Sequence, residues 1–355
     1  MHYIPVTGNN TSVGLIDAIH LGANDEGALF LPETYPLIPK AYYKNISGMS
    51  LPEIGYVVAN MLFGSDIPSS TIKDIIFETL SFDIPFLQIN ENKYALDLTQ
   101  GPTGNYNDIS ARFMANLLKR YRRHARFNVI ISSSTGAGNA VADAFHDMPG
   151  VKSFILFPSH SLSEKRKESL TSYGENVIPI EVNGSLFKLL DVTREAVLDK
   201  SLQEQVPLIT ANSVNIAALL PRTIFFLYAY SRLVKERRNA DNIVISIPTR
   251  NLGNLTAAII ASKMGLPVSR FIALRDDSRF AVNDRRIASL LGKEDYDNDI
   301  FSPESHPLAA NETEITLITD NDKNCIIDGY GDVHHRIEHI SAKYNQLKSI
   351  ILNNK

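Results

Sequence analysis

Three polar turns rich in glycine or small residues carry the side chains able to do chemistry. The first, Gln100-Gly101-Pro102-Thr103-Gly104-Asn105-Tyr106-Asn107-Asp108, runs straight into Ile109-Ser110-Ala111-Arg112-Phe113-Met114. Asp108 and Tyr106 are its candidate acid or base groups, while the plain reading of Asn107-Asp108 is a polar pair at a helix start with Asp108 as the cap. The second turn, Ser132-Ser133-Ser134-Thr135-Gly136-Ala137-Gly138-Asn139, joins an apolar run to a helical pattern. Backbone N–H groups at such a helix start make a seat for an anion, although a plain turn between strand and helix has the same composition. The third, Pro248-Thr249-Arg250-Asn251-Leu252-Gly253-Asn254-Leu255-Thr256, makes the same kind of junction. His335 and His339, with Glu338, are spaced as metal ligands on one helix face, but no third ligand accompanies them and no metal is expected.

Elements that position these turns are legible on both sides of them. Ala95 to Leu98 alternates as a strand does, Gly101-Pro102 breaks it, and Ile109, Phe113, Leu117 and Tyr121 recur every four residues on a helix face. From Asn128 the pattern alternates strand and helix, as in a parallel sheet: Val129–Ser132, Phe154–Phe157, Val177–Val182 and Pro207–Thr210 read as strands, with helices over Asn139–His146, Leu162–Tyr173 and Ser185–Gln203 between them. Ile243–Ile247, Phe271–Leu274 and Ile315–Thr319 continue the strands, Leu255–Met264 is a helix, Asp276 to Asn311 is loop-rich, and a terminal helix runs from about Val333 to Leu352. Near the start, Gly27 to Pro32 is a short apolar run, and helices are expected over Leu51–Phe63 after Ser50 and over Ser70–Leu80 within a capping sequence. Three regions follow: a small helical N-terminal domain (1–92), a larger α/β subdomain (93–127 and 220–355) and a smaller one (128–219).

Composition sets limits. A chain of 355 residues with 44% hydrophobic and 21% charged residues is an ordinary globular protein of two or three domains. A net charge of -4 with scattered Lys and Arg argues against nucleic acid as a partner; the basic cluster Lys119 to Arg126 sits where it complements a helix C-terminus. One cysteine, Cys325, excludes an intrachain disulfide and fits a cytoplasmic location. The apolar segment Ile216 to Val234 carries Pro221, Arg222 and Arg232 and reads as a buried helix, so no membrane association is expected.

The spelling GPTxxYxD followed by ARFM resembles the cofactor-lysine segment of the threonine synthase family, fold-type II pyridoxal phosphate enzymes of tryptophan synthase β-like architecture. The family's segment reads roughly GPTxAFKD and then RFM, its lysine joined to the cofactor as a Schiff base. Asn107 stands at that position, and Asn has no basic amine, so covalent attachment there is not possible. Ser134 to Asn139 is similar to the family loop spelt TSGDTG, which receives the substrate carboxylate, with Gly136 where the family has Asp. Arg250, Asn251, Leu252, Gly253 and Asn254 resemble the family's cradle for the cofactor phosphate, PSGNFGD or PSGNFGN, with Arg250 replacing a glycine. That arginine either adds a bidentate contact or fills the space that the phosphate needs. Ala211-Asn212-Ser213-Val214-Asn215, similar to the family's ANSIN, is a polar run that needs partners when buried. The resemblance spans about residues 1 to 275; beyond it, Asp328 to Val333 matches only faintly and the family's late GTAHPAKF strand is missing.

The resemblance implies a cleft between two α/β subdomains, faced by all three turns. It points to a catalytically altered or inactive member that binds an amino-acid-like or phosphorylated small molecule, with a protein partner as a further expectation. The rival is an active pyridoxal phosphate-dependent lyase or β/γ-replacement enzyme, acting on O-phosphohomoserine or a related amino acid with a substitute base; Lys152, Lys165 and Lys263 are candidates, each also read as a solvated side chain. A cofactor-free enzyme using Asp108 or Tyr106 is the third reading.

Overall fold

Alternating apolar runs and amphipathic segments fold into two units. The computed structural model describes the chain outside residues 9–10, 25–26, 122–126, 175, 238–241, 249–251, 275–312 and 319–336. Arg250 and Asn251, Cys325, His334 and His335, the loop-rich 276–311, the faint match at 328–333 and residues 122–126 of the basic cluster lie outside the described residues. The strands are β1 (Tyr3–Pro5), β2 (Phe30–Pro32), β3 (Phe86–Asn90), β4 (Lys93–Asp97), β5 (Asn128–Ser132), β6 (Ser153–Pro158), β7 (Val177–Asn183), β8 (Leu208–Thr210), β9 (Ile243–Pro248), β10 (Arg270–Leu274), β11 (Thr313–Ile318) and β12 (Glu338–Ser341). The helices are α1 (Leu15–Leu21), α2 (Lys40–Asn45), α3 (Leu51–Phe63), α4 (Ser69–Thr79), α5 (Asn107–Tyr121), α6 (Ala137–Phe145), α7 (Glu164–Ser172), α8 (Leu186–Leu198), α9 (Lys200–Gln205), α10 (Ile216–Leu219), α11 (Thr223–Glu236), α12 (Gly253–Lys263) and α13 (Tyr344–Asn353).

The first unit comprises Met1–Leu15, Phe30–Leu98 and Leu219–Thr319. Its five-stranded sheet has the order β10-β9-β11-β4-β3, parallel except for the β3–β4 hairpin at one edge. The apolar run from Ile216 is interrupted, as Pro221 requires: α10 gives way to a 3₁₀ turn at Leu220–Arg222 before α11 begins. α3 starts after Ser50 as expected, and the Glu53 carboxylate accepts from Ser50 N and Oγ, each at 2.7 Å. α4 begins one residue earlier than expected, with Pro68 preceding it and no side-chain cap.

The second unit comprises Ile16–Leu29, Thr99–Ala218 and Asp320–Lys355. Its sheet, β12-β7-β6-β5-β8, is wholly parallel. The central strands are rich in apolar residues and largely buried on both faces, as a sheet covered by helices on each side demands. Ile130, Phe154, Leu156 and Ile180 form its core with Leu189 and Val192 of α8 and Leu347 and Ile351 of α13.

Most of the region 1–92 groups with the first unit and Ile16–Leu29 with the second. Two expectations about elements are corrected here. The helix expected over Ser185–Gln203 is broken at Asp199, whose side chain caps α9 by accepting from Leu202 N at 3.1 Å. The helix expected from about Val333 is preceded, among the described residues, by β12, which pairs with β7 and groups with the second unit. His339 therefore sits on a strand opposite Glu181, whose Oε2 is 3.4 Å from its Nδ1, and the helical spacing argued for His335 and His339 does not apply.

Candidate functional site

The turn between β4 and α5 is built inward. Thr103, Asn105 and Asp108 are 1% exposed and Asn107 is 7% exposed, so each polar atom must find its partner within the protein. α5 begins at Asn107, which moves Asp108 from the cap position expected of it into the first turn. Its carboxylate reaches back over the turn and accepts from Thr103 N at 3.0 Å, Thr103 Oγ1 at 2.5 Å and Asn105 N at 3.5 Å. Gly101 allows this approach, since a Cβ there would lie 2.3 Å from Asp108 Oδ2. The Asn107 backbone N and Nδ2 both donate to Asn105 Oδ1, at 3.0 and 2.7 Å. Burial pushes the Asp108 carboxyl up to about 7, the Thr103 hydrogen bonds opposing that shift and the Asp143 charge adding to it.

α5 packs against α6, with Arg112 Nη1 4.0 Å from Asp143 Oδ2. The structure thereby gathers the first and second turns in one unit. The loop Ser132 to Asn139 follows β5. Its first residue is held as if by an extra strand residue, because Asn212 Oδ1 accepts from Ser132 N at 3.1 Å and Asn212 Nδ2 donates to Ser132 O at 2.8 Å. The polar run around Asn212 and Asn215 thus finds its work in bracing: Asn215 Nδ2 donates to Ile19 O at 2.8 Å. Ser133 Oγ accepts from Thr135 N at 3.1 Å, and Gly136 is the cap residue of α6, supplying no side chain to its first N–H groups. Ser134, Thr135 and Ala137 are half-buried, and Gly138 and Asn139 are buried.

One side chain in this loop's surroundings was not singled out from sequence. Arg166, on α7, is 2% exposed, and its Nη1, Cζ and Nη2 lie 1.7, 2.4 and 2.9 Å from where a Cβ on Gly136 would stand. Asn139 Nδ2 donates to Arg166 O at 2.8 Å, tying α6 to α7, while the buried Asn139 Oδ1 has no hydrogen-bond partner among the described residues. Arg166 falls in Glu164-Lys165-Arg166-Lys167-Glu168, a charged run that reads as a solvated face; only the glycine at 136 hinted at what fills its place.

The third turn belongs to the first unit, of which Leu252, Gly253 and Asn254 are described. Leu252 precedes α12 in the left-handed region at φ 57°, and its side chain makes no cap hydrogen bond. Arg222, 2% exposed, donates from Nη1 to Asn254 Oδ1 at 3.3 Å. This second buried arginine did leave a trace, one of two cations inside the apolar run from Ile216 to Val234. Of the lysines weighed as substitutes, Lys263 is exposed, whereas Lys152 and Lys165 are half-buried. Among the described residues no cluster of His, Cys, Asp and Glu is placed to hold a metal ion, and no helix is long and apolar enough to cross a membrane.

Comparison with known proteins gives a consistent picture. The family model described as "Threonine synthase N terminus" matches residues 2–80. Threonine synthase of Haemophilus influenzae is 31% identical over 256 residues, covering 72% of this chain and 59% of that protein. The enzyme of Buchnera aphidicola subsp. Baizongia pistaciae is 33% identical over 264 residues, covering 74% and 61%. The chain thus spans about three-fifths of the length of the curated relatives it matches. Among solved structures, threonine synthase from Escherichia coli superposes with a TM-score of 0.89 at 21% identity over 100% of both chains. The pyridoxal phosphate-bound threonine synthase from Brucella melitensis gives 0.78 at 17% over 100% of this chain and 99% of that one. The fold is the fold-type II architecture of these enzymes, and with the matching family model and relatives it means that the chain belongs to the threonine synthase family.

Proposed function

We propose that this chain is an altered threonine-synthase-like protein that binds an amino-acid-like or phosphorylated small molecule without the family's lysine chemistry. The observation that carries the reading is the Asn107 carboxamide, buried and donating to Asn105 Oδ1 at 2.7 Å. An amide nitrogen is neither a nucleophile toward an aldehyde nor a base for a substrate proton. The loop Ser134 to Asn139 is the seat for the ligand's anionic group, and a partner protein is a further role for such a binding form. With its single cysteine we read the chain as cytoplasmic.

Pyridoxal phosphate meets two different answers in this chain. The start of α12, with Gly253 and Asn254 in its first turn and no side-chain cap from Leu252, suits a phosphate by the chemistry of its donors. Position 107 does not suit the aldehyde end, for lack of an amine. When bound, the group supplies an electron sink for charge developing on substrate carbon. Asn254 is oriented by Arg222, and the first-turn N–H groups of α12 point toward the helix start. This half-fit sustains a second reading, an active lyase or replacement enzyme that holds the cofactor by its phosphate alone and uses a substitute base.

A visible absorbance spectrum with and without pyridoxal phosphate, followed by borohydride reduction and mass mapping, separates the two. The first reading expects no reducible adduct and no turnover of O-phosphohomoserine. A yellow adduct on one lysine, with turnover, overturns it.

A further inference from the structure

Between α8 and α13 the second unit carries a groove of about 630 Å³, a volume that suits a small molecule, and it shares no residue with the three turns. Asp191, Glu195 and Asp199 recur every four residues, so α8 and the residue that ends it set three carboxylates along one line of the groove. Asp199 is occupied. Its Oδ2 accepts from Lys348 Nζ at 2.5 Å and from the Tyr344 hydroxyl, and its Oδ1 from Leu202 N, which together hold the carboxyl well below the usual carboxylate range. The Arg194 guanidinium turns toward Gly27, where a Cβ would stand 3.0 Å from its Cζ. Asp191 and Glu195 differ from Asp199: both are exposed, and neither carboxylate makes a hydrogen bond or an ion pair among the described residues. Burial raises the Tyr344 hydroxyl, Asp199 adds to that rise, and so does the charge of Glu195, which therefore lies on the side of α8 that faces α13.

We propose that this groove binds a small organic ammonium ion with an apolar body. Like charges four residues apart on a helix repel, so a cation seated between Asp191 and Glu195 is attracted by both and removes a standing repulsion. Leu198, 36% exposed, and the ring of Tyr344 supply an apolar wall beside the acidic one, which the rest of such a molecule covers. The charge at the groove points the same way when all of it is counted. Three carboxylates face Arg194 and Lys348, so the balance stays negative, and an anion would meet Asp191 and Glu195 unscreened by a counter-charge of their own. The groove is a second binding place, and its failure would leave the reading of the three turns as it stands.

The test titrates the full chain, by calorimetry at low ionic strength, with 2-phenylethylamine, 2-phenylethanol and 3-phenylpropionate, which share an aromatic body and differ in charge. The amine is expected to bind on the order of tenfold more tightly than the alcohol, and the carboxylate more weakly than either, since each exposed ion pair contributes about threefold. Asp191→Asn and Glu195→Gln should each weaken the amine about threefold and leave the alcohol unchanged, and the double variant should bind the two alike. Glu168→Gln, on the exposed face of α7, is the control for charge at a distance and should change nothing. The chain has no tryptophan, so Leu198→Trp places a single indole in the groove, and its fluorescence should change saturably with the amine. Equal affinity of the wild type for amine and alcohol overturns the proposal, as does a preference that survives in the double variant. Binding of none of the three overturns it as well, and an amine effect that Glu168→Gln shares reduces it to general surface charge.

Discussion

The turn before α5 and the turn before α12 occupy equivalent places, each between a strand of the first unit's sheet and a helix, yet they are made in opposite ways. At the first, the polar side chains are spent on one another: Asp108 closes on Thr103 and Asn105, and Asn107 closes on Asn105. At the second, a leucine in a left-handed conformation precedes the helix and gives it no side-chain cap, its carbonyl accepting from Thr256 N at 2.8 Å. A turn whose polar groups are internally paired holds its own shape, whereas an uncapped helix start is suited to an outside anion. A site for a ligand thus need not vanish as a whole when one reactive side chain is absent.

The sharpest way to break this comparison is Asn107→Lys. If the first turn lacks only the amine, the variant gives a borohydride-reducible adduct with pyridoxal phosphate that maps to residue 107, where the wild type gives none. No adduct at 107 would mean that the self-paired turn is closed to the cofactor whatever residue it carries.

Next in size is the pH dependence of Asp108. Its carboxyl is raised from 3.8 to about 7, so its contribution to stability is complete below about pH 4 and is lost as pH rises through 7. Relative to Asp108→Asn, which does not titrate, the wild type should lose on the order of 4 kcal/mol between pH 4 and pH 8, at about 1.4 kcal/mol per unit. Urea unfolding of both proteins across that range reads the difference; a flat difference would mean that Asp108 is ionised throughout. Gly101→Ala attacks the same turn through sterics. Its Cβ meets Asp108 Oδ2 at 2.3 Å, and a loss of about 3 kcal/mol is expected in the same unfolding experiment, with a loss below 1 kcal/mol showing that the turn yields easily.

How much of this was legible follows from which forces act locally. Strands such as β5, β6, β7 and β9 were readable because burial on both faces writes continuous apolar runs, and α3 because Ser50 marks its start. β12 was not, since a four-residue strand at a sheet edge, with mostly exposed side chains, carries no pattern of its own and is defined by β7 beside it. At the candidate site, Asn107 and the three turns were named from residue types. The inward closure of Asp108 was missed because capping rules look forward along a helix, while its partners lie behind it. Arg166 was missed because a cation in a charged run is ordinarily solvated, and only the three-dimensional position of Gly136 shows otherwise.

The smallest effect tests the other side of the comparison. Gly253 opens α12, and Gly253→Asp puts a carboxylate into the first turn, where it competes for the N–H groups that an outside anion would use. Affinity for inorganic phosphate, followed by isothermal titration calorimetry, should fall about tenfold, or about 1.4 kcal/mol. The pH dependence assigned to Asp108 should not change, because its hydrogen-bond donors lie in its own turn and the charge that acts on it is Asp143 of α6. Unaltered phosphate affinity would mean that the α12 start, to which Leu252 gives no side-chain cap, is not an anion seat. The contrast between a closed turn and an open one would then reduce to a difference in hydrogen-bond pattern with no bearing on ligand binding.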